Sequence, residues 1–142
     1  MPILSSMRVL MTEAGAMPTT AGRVLLAGDS TIIPVIQGLI ETLPDTARGQ
    51  IFIEVETALD IIALETPERI TVSWLARDVR TGTPGQVLGR AVRAWVSEMT
   101  TGDVVADGAE LCVWLGGEAA RIDDLRADLA ERLGSSRETL AR

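Results

Sequence analysis

Residues 24–36 read Val-Leu-Leu-Ala-Gly-Asp-Ser-Thr-Ile-Ile-Pro-Val-Ile, and this stretch decides the fold. Its first five residues are a continuous apolar run ending in glycine, the pattern of a strand buried on both faces of a parallel sheet. Asp29, Ser30 and Thr31 are helix N-cap types, and Pro34 suits the first helical turn, where its missing N–H would be unpaired anyway. The spacing then predicts a helix that buries Val35, Ile36, Leu39, Ile40 and Leu43 and stops at Pro44.

Outward from this unit, Asp45 and Gly49 are loop residues that set off a second strand, Gln-Ile-Phe-Ile-Glu-Val at 50–55. A short helical turn is expected around 57–62. A third strand, Ile-Thr-Val-Ser-Trp-Leu at 70–75, alternates β-branched and aromatic residues with small polar ones and runs into the loop 76–84. Val87, Leu88, Ala91, Val92, Trp95, Val96 and Met99 then repeat at helical spacing. After a polar loop at 100–108 comes a fourth strand, Leu-Cys-Val-Trp-Leu at 111–115. Gly116 and Gly117 turn the chain into a last helix, with Ile122, Leu125, Leu129 and Leu133 inside and Arg121, Asp124, Asp128 and Arg132 outside. This order implies parallel pairing with right-handed crossovers, hence an α/β, Rossmann-like three-layer domain with a mainly parallel sheet. Residues 22–142 form that domain. Residues 1–21 form an N-terminal segment in which Ile3 to Met11 offer an additional edge strand, and no repeat or low-complexity linker interrupts the chain.

At 142 residues, 46% hydrophobic and 23% charged, the chain has the size and composition of one globular domain. No apolar run approaches the roughly 20 residues of a membrane helix, and the stretch Met1 to Met11 is broken by Arg8 and lacks a basic start, so a cytoplasmic protein without a signal peptide is expected. The single cysteine, Cys112, with no histidine anywhere, leaves no zinc or haem ligand set and excludes triads built on histidine. A net charge of −7 argues against a nucleic-acid surface. All thirteen basic residues are arginine, which also excludes a receiver domain of the response-regulator kind, since that fold relies on a lysine near its last strand.

In an open parallel sheet, ligands bind beyond the carboxyl ends of the strands, where the connections change direction. Three loops qualify. The first is Gly28, Asp29, Ser30 and Thr31, whose backbone N–H groups open a helix and can face a pyrophosphate, with Gly28 permitting close approach. Its spacing is not the G-x-G-x-x-G fingerprint, and an ordinary helix cap accounts for the same residues. The second is Gly116, Gly117, Glu118 and Ala119, small enough for a ring or ribose to lie flat, or simply a tight turn with Glu118 against the helix dipole. The third holds Arg77 and Arg80, which could clamp a 2′-phosphate in a forked geometry or pair with Asp78 in a solvated loop. Cys112 reads as a buried structural thiol, and Trp74, Trp95 and Trp114 as core, Trp114 being near the glycine turn. Glu54 and Glu56 stand where a Rossmann unit holds a ribose 2′-OH, but the simpler reading puts them on the surface. No residue is assigned a catalytic role.

Taken together, "VLLAGDSTIIPVI" at 24–36, "GQIFIEV" at 49–55, "VSWLARD" at 72–78 and "VWLGGEAARIDDLRADL" at 113–129 resemble the C-terminal half of siderophore-interacting proteins. These are flavin-dependent ferric-siderophore reductases of the ferredoxin reductase superfamily, with an "AGDETALPAI" phosphate loop and a "VWVAGEA" turn at matching places. The resemblance covers about residues 22–134. It implies that Gly28, Asp29 and Thr31 lie beside the pyrophosphate of NADPH and that Gly117, Glu118 and Ala119 lie near its nicotinamide. In complete members NADPH delivers hydride to FAD, and the electrons reduce siderophore-held Fe(III) to the more weakly bound Fe(II). Ser30 stands where the family usually has glutamate.

Complete members carry the flavin on an N-terminal β-barrel, which residues 1–21 cannot build, so FAD is not expected to be bound by this chain alone. The family also continues past the position of Arg142 into a "GYWR"-like final strand. The expected sheet therefore lacks its last strand, and its exposed edge invites the N-terminal segment or a second copy, giving a homodimer. Two readings of function follow. The chain is an NADPH-binding module that works with a separate flavoprotein partner and meets the ferric siderophore indirectly, or it is a noncatalytic binding or regulatory domain that keeps the fold without the cofactor.

Overall fold

The computed structural model describes residues 8–12, 23–77, 85–99, 110–117 and 119–133. In chain order these form β1 (Arg8–Thr12), β2 (Arg23–Asp29), a 3-10 turn (Ser30–Ile32), α1 (Ile33–Glu41), β3 (Arg48–Val55), a second 3-10 turn (Ala58–Asp60), β4 (Arg69–Ala76), α2 (Gln86–Met99), β5 (Glu110–Leu115) and α3 (Ala119–Leu133). None of the described helices is long and apolar enough to cross a membrane.

The strands form one parallel sheet in the order β1-β5-β2-β3-β4. β2 lies at its centre, and successive residues of β2 serve opposite layers. Leu25 and Ala27 join a core with Phe52, Leu75, Val113, Leu115, the buried stripe of α2 (Val87, Leu88, Val92, Val96) and Leu125 and Leu129 of α3. Val24 and Leu26 join the other core, with Ile36, Leu39 and Ile40 of α1, Ile51, Ile53, Val55, Cys112 and Trp114. The unbroken apolar run in the sequence is thus two interleaved faces, each covered by helix. Right-handed crossover explains the layers: β2 to β3 moves one way along the sheet and puts α1 on one face, whereas β4 to β5 moves back past β2 and puts α2 on the other. Arg93 of α2 and Asp128 of α3 pair across the outer surface of that second layer.

The short helical turn expected around 57–62 is present as a 3-10 turn closed by a capping box between Thr57 and Asp60, after which the chain runs irregularly to β4. Two expectations are corrected. Val35 is 40% exposed, because α1 turns only its Ile36, Leu39 and Ile40 stripe to the sheet. Glu54, read as a surface residue, is 1% exposed. It faces the same layer as Phe52, and its carboxylate accepts from the Gly85 amide at 2.8 and 3.1 Å, where α2 begins. Arg77 lies 3.7 Å from it, while the Arg77 amide donates to the Val55 carbonyl. A buried carboxylate survives here because a helix N-terminus and a guanidinium share it.

The edge beside β5 is filled by β1, Val9 standing opposite Leu111 and Met11 opposite Val113. On its other side β5 is stitched to β2, and at their carboxyl ends the Gly116 amide donates to the Ala27 carbonyl. A Cβ on Gly28 would stand 2.4 Å from Ile32 Cδ1 and 2.6 Å from the Gly116 carbonyl oxygen. No side chain fits in that seam.

Gly28→Ala is therefore expected to cost about 1–3 kcal/mol through overpacking, read as a lower urea midpoint with unchanged slope. Glu54→Ala should cost about 2–4 kcal/mol by removing a charged acceptor from the start of α2 and its counter-ion from Arg77. Glu56→Ala, in the same assay, should cost under about 0.5 kcal/mol, because its side chain is 78% exposed and lies 4.0 Å from Arg77.

Candidate functional site

The strand order reverses between β2 and β5, since the chain leaves β2 toward β3 and returns from β4 to the opposite side of β2. Such a switch point opens a crevice at the carboxyl ends of the two strands, because their outgoing connections diverge to opposite faces. The crevice here is walled by Gly28 to Thr31 at the end of β2 and by Gly116 and Gly117 at the end of β5. The tertiary structure brings together the first two of the three loops marked in the sequence.

Its floor is backbone. Gly117 has φ of +120°, a conformation suited to glycine, and a Cβ there would stand 2.8 to 3.0 Å from the Asp29 carboxylate. A Cβ on Gly116 would meet the Trp114 ring at 2.6 Å. Trp114 is 1% exposed and packs beneath this turn rather than lining an open pocket, and its indole N–H has no hydrogen-bond partner among the described residues. Ser30 and Thr31 are exposed on the β2 side. Asp29 caps the helical turn: its Oδ1 accepts from the Thr31 amide at 3.0 Å and from the Thr31 hydroxyl.

The positions expected to supply cations divide. Arg77 is turned to Glu54 and Glu56 at the end of β3, two strands away from β5. Arg80 and Glu118 lie outside the described residues, and Ala119 opens α3. A cation that sequence reasoning missed is Arg126, whose Nη2 donates to the Leu115 carbonyl at 3.2 Å and whose Nη1 pairs with Asp123 at 3.1 Å. It sits two turns into α3, and long helical side chains lean toward the helix N-terminus, so it reaches back to the end of β5. That lean was a usable signal. Cys112 is buried in the sheet, and among the described residues no group of histidine, cysteine and carboxylate side chains converges as a metal site.

The residues present fit a dinucleotide's diphosphate in two respects and oppose it in one. Glycine turns let an extended anion lie against backbone, and Arg126 brings positive charge to the end of β5. Against this, the Asp29 carboxylate already occupies the Thr31 amide, so a phosphate has to share Thr31 with it. A groove of about 630 Å³ also lies between β4 and α2, lined by Phe52, Ser73, Trp74, Trp95 and Glu98 among others. It draws on the middle of the strands and the later turns of α2, not on the switch point, and so is a separate feature.

Comparison with known proteins agrees with this geometry. Ferric vibriobactin reductase ViuB of Vibrio cholerae serotype O1 is 34% identical over 68 residues, 48% of this chain and 24% of that protein. The crystal structure of a siderophore utilization protein from T. fusca superposes with a TM-score of 0.62 and 31% identity, covering 86% of this chain and 41% of that one. The siderophore-interacting protein SipS from Aeromonas hydrophila superposes with a TM-score of 0.59 at 23% identity, covering 83% of this chain and 46% of that one, and shares the fold. The chain thus spans about a quarter of the curated relative and less than half of each solved structure. The sequence pattern of the family described as siderophore-interacting protein matches residues 21–141, and with the parallel sheet and its switch point in place, the chain belongs to that family.

Proposed function

We propose that this chain is the nicotinamide-dinucleotide-binding part of a ferric-siderophore reductase and works with a flavin-bearing partner. The observation that carries the reading is the switch-point crevice, with two glycine-rich turns meeting where no side chain fits and helices α1 and α3 leading away from it. ViuB, a ferric vibriobactin reductase by name, is a relative that supports the substrate class.

Each residue then has a task. Ser30 and Thr31 present the start of α1 to a diphosphate, and the helix dipole favours the negative charge. Gly116 and Gly117 keep the opposite wall flat. Arg126 braces the end of β5 and offsets part of the ligand's charge. The bound dinucleotide would supply hydride for the flavin, whose electrons convert siderophore-held Fe(III) to Fe(II).

One observation favours the second reading, a noncatalytic domain that keeps the fold. Asp29 caps Thr31 with its own carboxylate, which is how a helix start behaves when no external anion is needed.

Calorimetric titration of NADPH and NADH separates the two. Saturable heat with either nucleotide, weakened about tenfold by Arg126→Ala in a protein of unchanged circular dichroism, is the expected result. Absence of heat with both assigns the chain to the noncatalytic reading.

A further inference from the structure

We infer that two copies of this chain join edge to edge through β4, antiparallel about a two-fold axis at Ser73, so that their five-stranded sheets become one continuous sheet.

In the strand order β1-β5-β2-β3-β4, β4 is an outer strand, and among the described residues only β3 pairs with it. The Arg77 amide donates to the Val55 carbonyl, which continues the β3–β4 ladder, and the backbone groups of successive strand residues point to alternate sides. Thr71, Ser73 and Leu75 therefore turn their N–H and C=O groups to β3, and Ile70, Val72, Trp74 and Ala76 turn theirs outward. The start of the outer row agrees. The Ile70 amide donates to the Pro67 carbonyl at 3.0 Å, and the Ile70 carbonyl accepts from the Thr66 hydroxyl at 3.3 Å. That turn closes the edge at Ile70, and Ala76 at the far end is buried. Val72 and Trp74 lie between them, half-buried, with outward backbone groups that no described residue meets.

Edge strands are usually blunted by charge, proline or a bulge, and from Ile70 to Ala76 β4 has none of these. A two-fold axis perpendicular to the sheet pairs such an edge with itself in the antiparallel sense. With the axis at Ser73, Val72 of each copy exchanges both backbone bonds with the partner's Trp74. Moving the axis by one residue sets Trp74 against the Ile70 that the turn already holds, or sets Val72 against the buried Ala76. The side chains match in the same register. Val72 and Trp74 share the α1 face and meet as β-branched and aromatic pairs, while Ser73 meets the partner's Ser73 on the other face. Because α2 packs over β2 and β3, that other face of β4 is left as the groove lined by Phe52, Ser73, Leu75 and Trp95. The partner's strand closes the open side of the groove. A strand of another protein would have to bring a matching alternation, whereas a second copy has it by symmetry.

Light scattering of the full chain at high micromolar concentration is expected to give twice the mass of one chain. Val72→Pro removes an outward donor that the single copy does not use, so it should give the mass of one chain with an unchanged circular dichroism spectrum. Cross-linking reads the register. Ser73→Cys, with its Cα roughly 4.5 Å from that of its copy in a non-hydrogen-bonded antiparallel pair, should form a disulfide dimer on mild oxidation. Thr71→Cys, displaced roughly 13 Å from its own copy along the strands, should not. The wild type should not either, since its Cys112 is buried. A wild-type chain that stays monomeric overturns the inference and leaves the edge to a strand of another protein. A dimer that persists in Val72→Pro, or that cross-links through Thr71→Cys as readily as through Ser73→Cys, overturns it too. Should Val72→Pro fail to fold, the contrast between the two cysteine variants decides.

Discussion

The ends of β2 and β5 approach as closely as they do because Gly28 carries no side chain, and the rest of the site depends on that contact. A carbonyl oxygen and the Ile32 side chain already fill the space where a Cβ on Gly28 would go. This closeness lets the Gly116 amide reach the Ala27 carbonyl, continues the β2–β5 ladder to the rim, and leaves the two outgoing helices to diverge from one point. The glycines are therefore demanded by packing whether or not a ligand binds. A switch-point crevice is the by-product of that packing, and its chemistry comes from what borders it.

The border is electrostatically uneven. On the β5 side Arg126 meets a strand carbonyl and Asp123. On the β3 side, among the described residues, Arg77 faces a carboxylate that the α2 N-terminus also holds. Glu54 is a structural tie among β3, the end of β4 and the start of α2. For a chain with a net charge of −7, such local arrangement of arginines decides where any anion can approach.

Much of the fold was legible in short-range pattern. The apolar run at 24–28, the cap residues after it and the stripe from Val87 to Met99 each specify their element by local rules, and the observed strands and helices fall on them to within a few residues. The site was half legible. Glycine and cap residues marked the turns at 28–31 and 116–117, because special backbone geometry needs special residues. Glu54 was misread, since a glutamate at the end of a strand is usually solvated and nothing nearby in sequence announces Gly85 or Arg77 as its partners. Val35 was misread for a related reason: five apolar residues in α1 exceed the face that one sheet can cover.

By itself, then, the sequence determined the α/β class, the parallel character of the central strand, the places of the tight turns and the kinship with siderophore-interacting proteins, all of which are set by residues within a few positions of one another. The tertiary structure alone decided that β5 returns beside β2, that β1 covers its far edge, that Arg126 reaches the crevice and that Arg77 turns away from it. These depend on contacts between residues far apart in the chain, where burial and charge compensation, not local preference, select the partner.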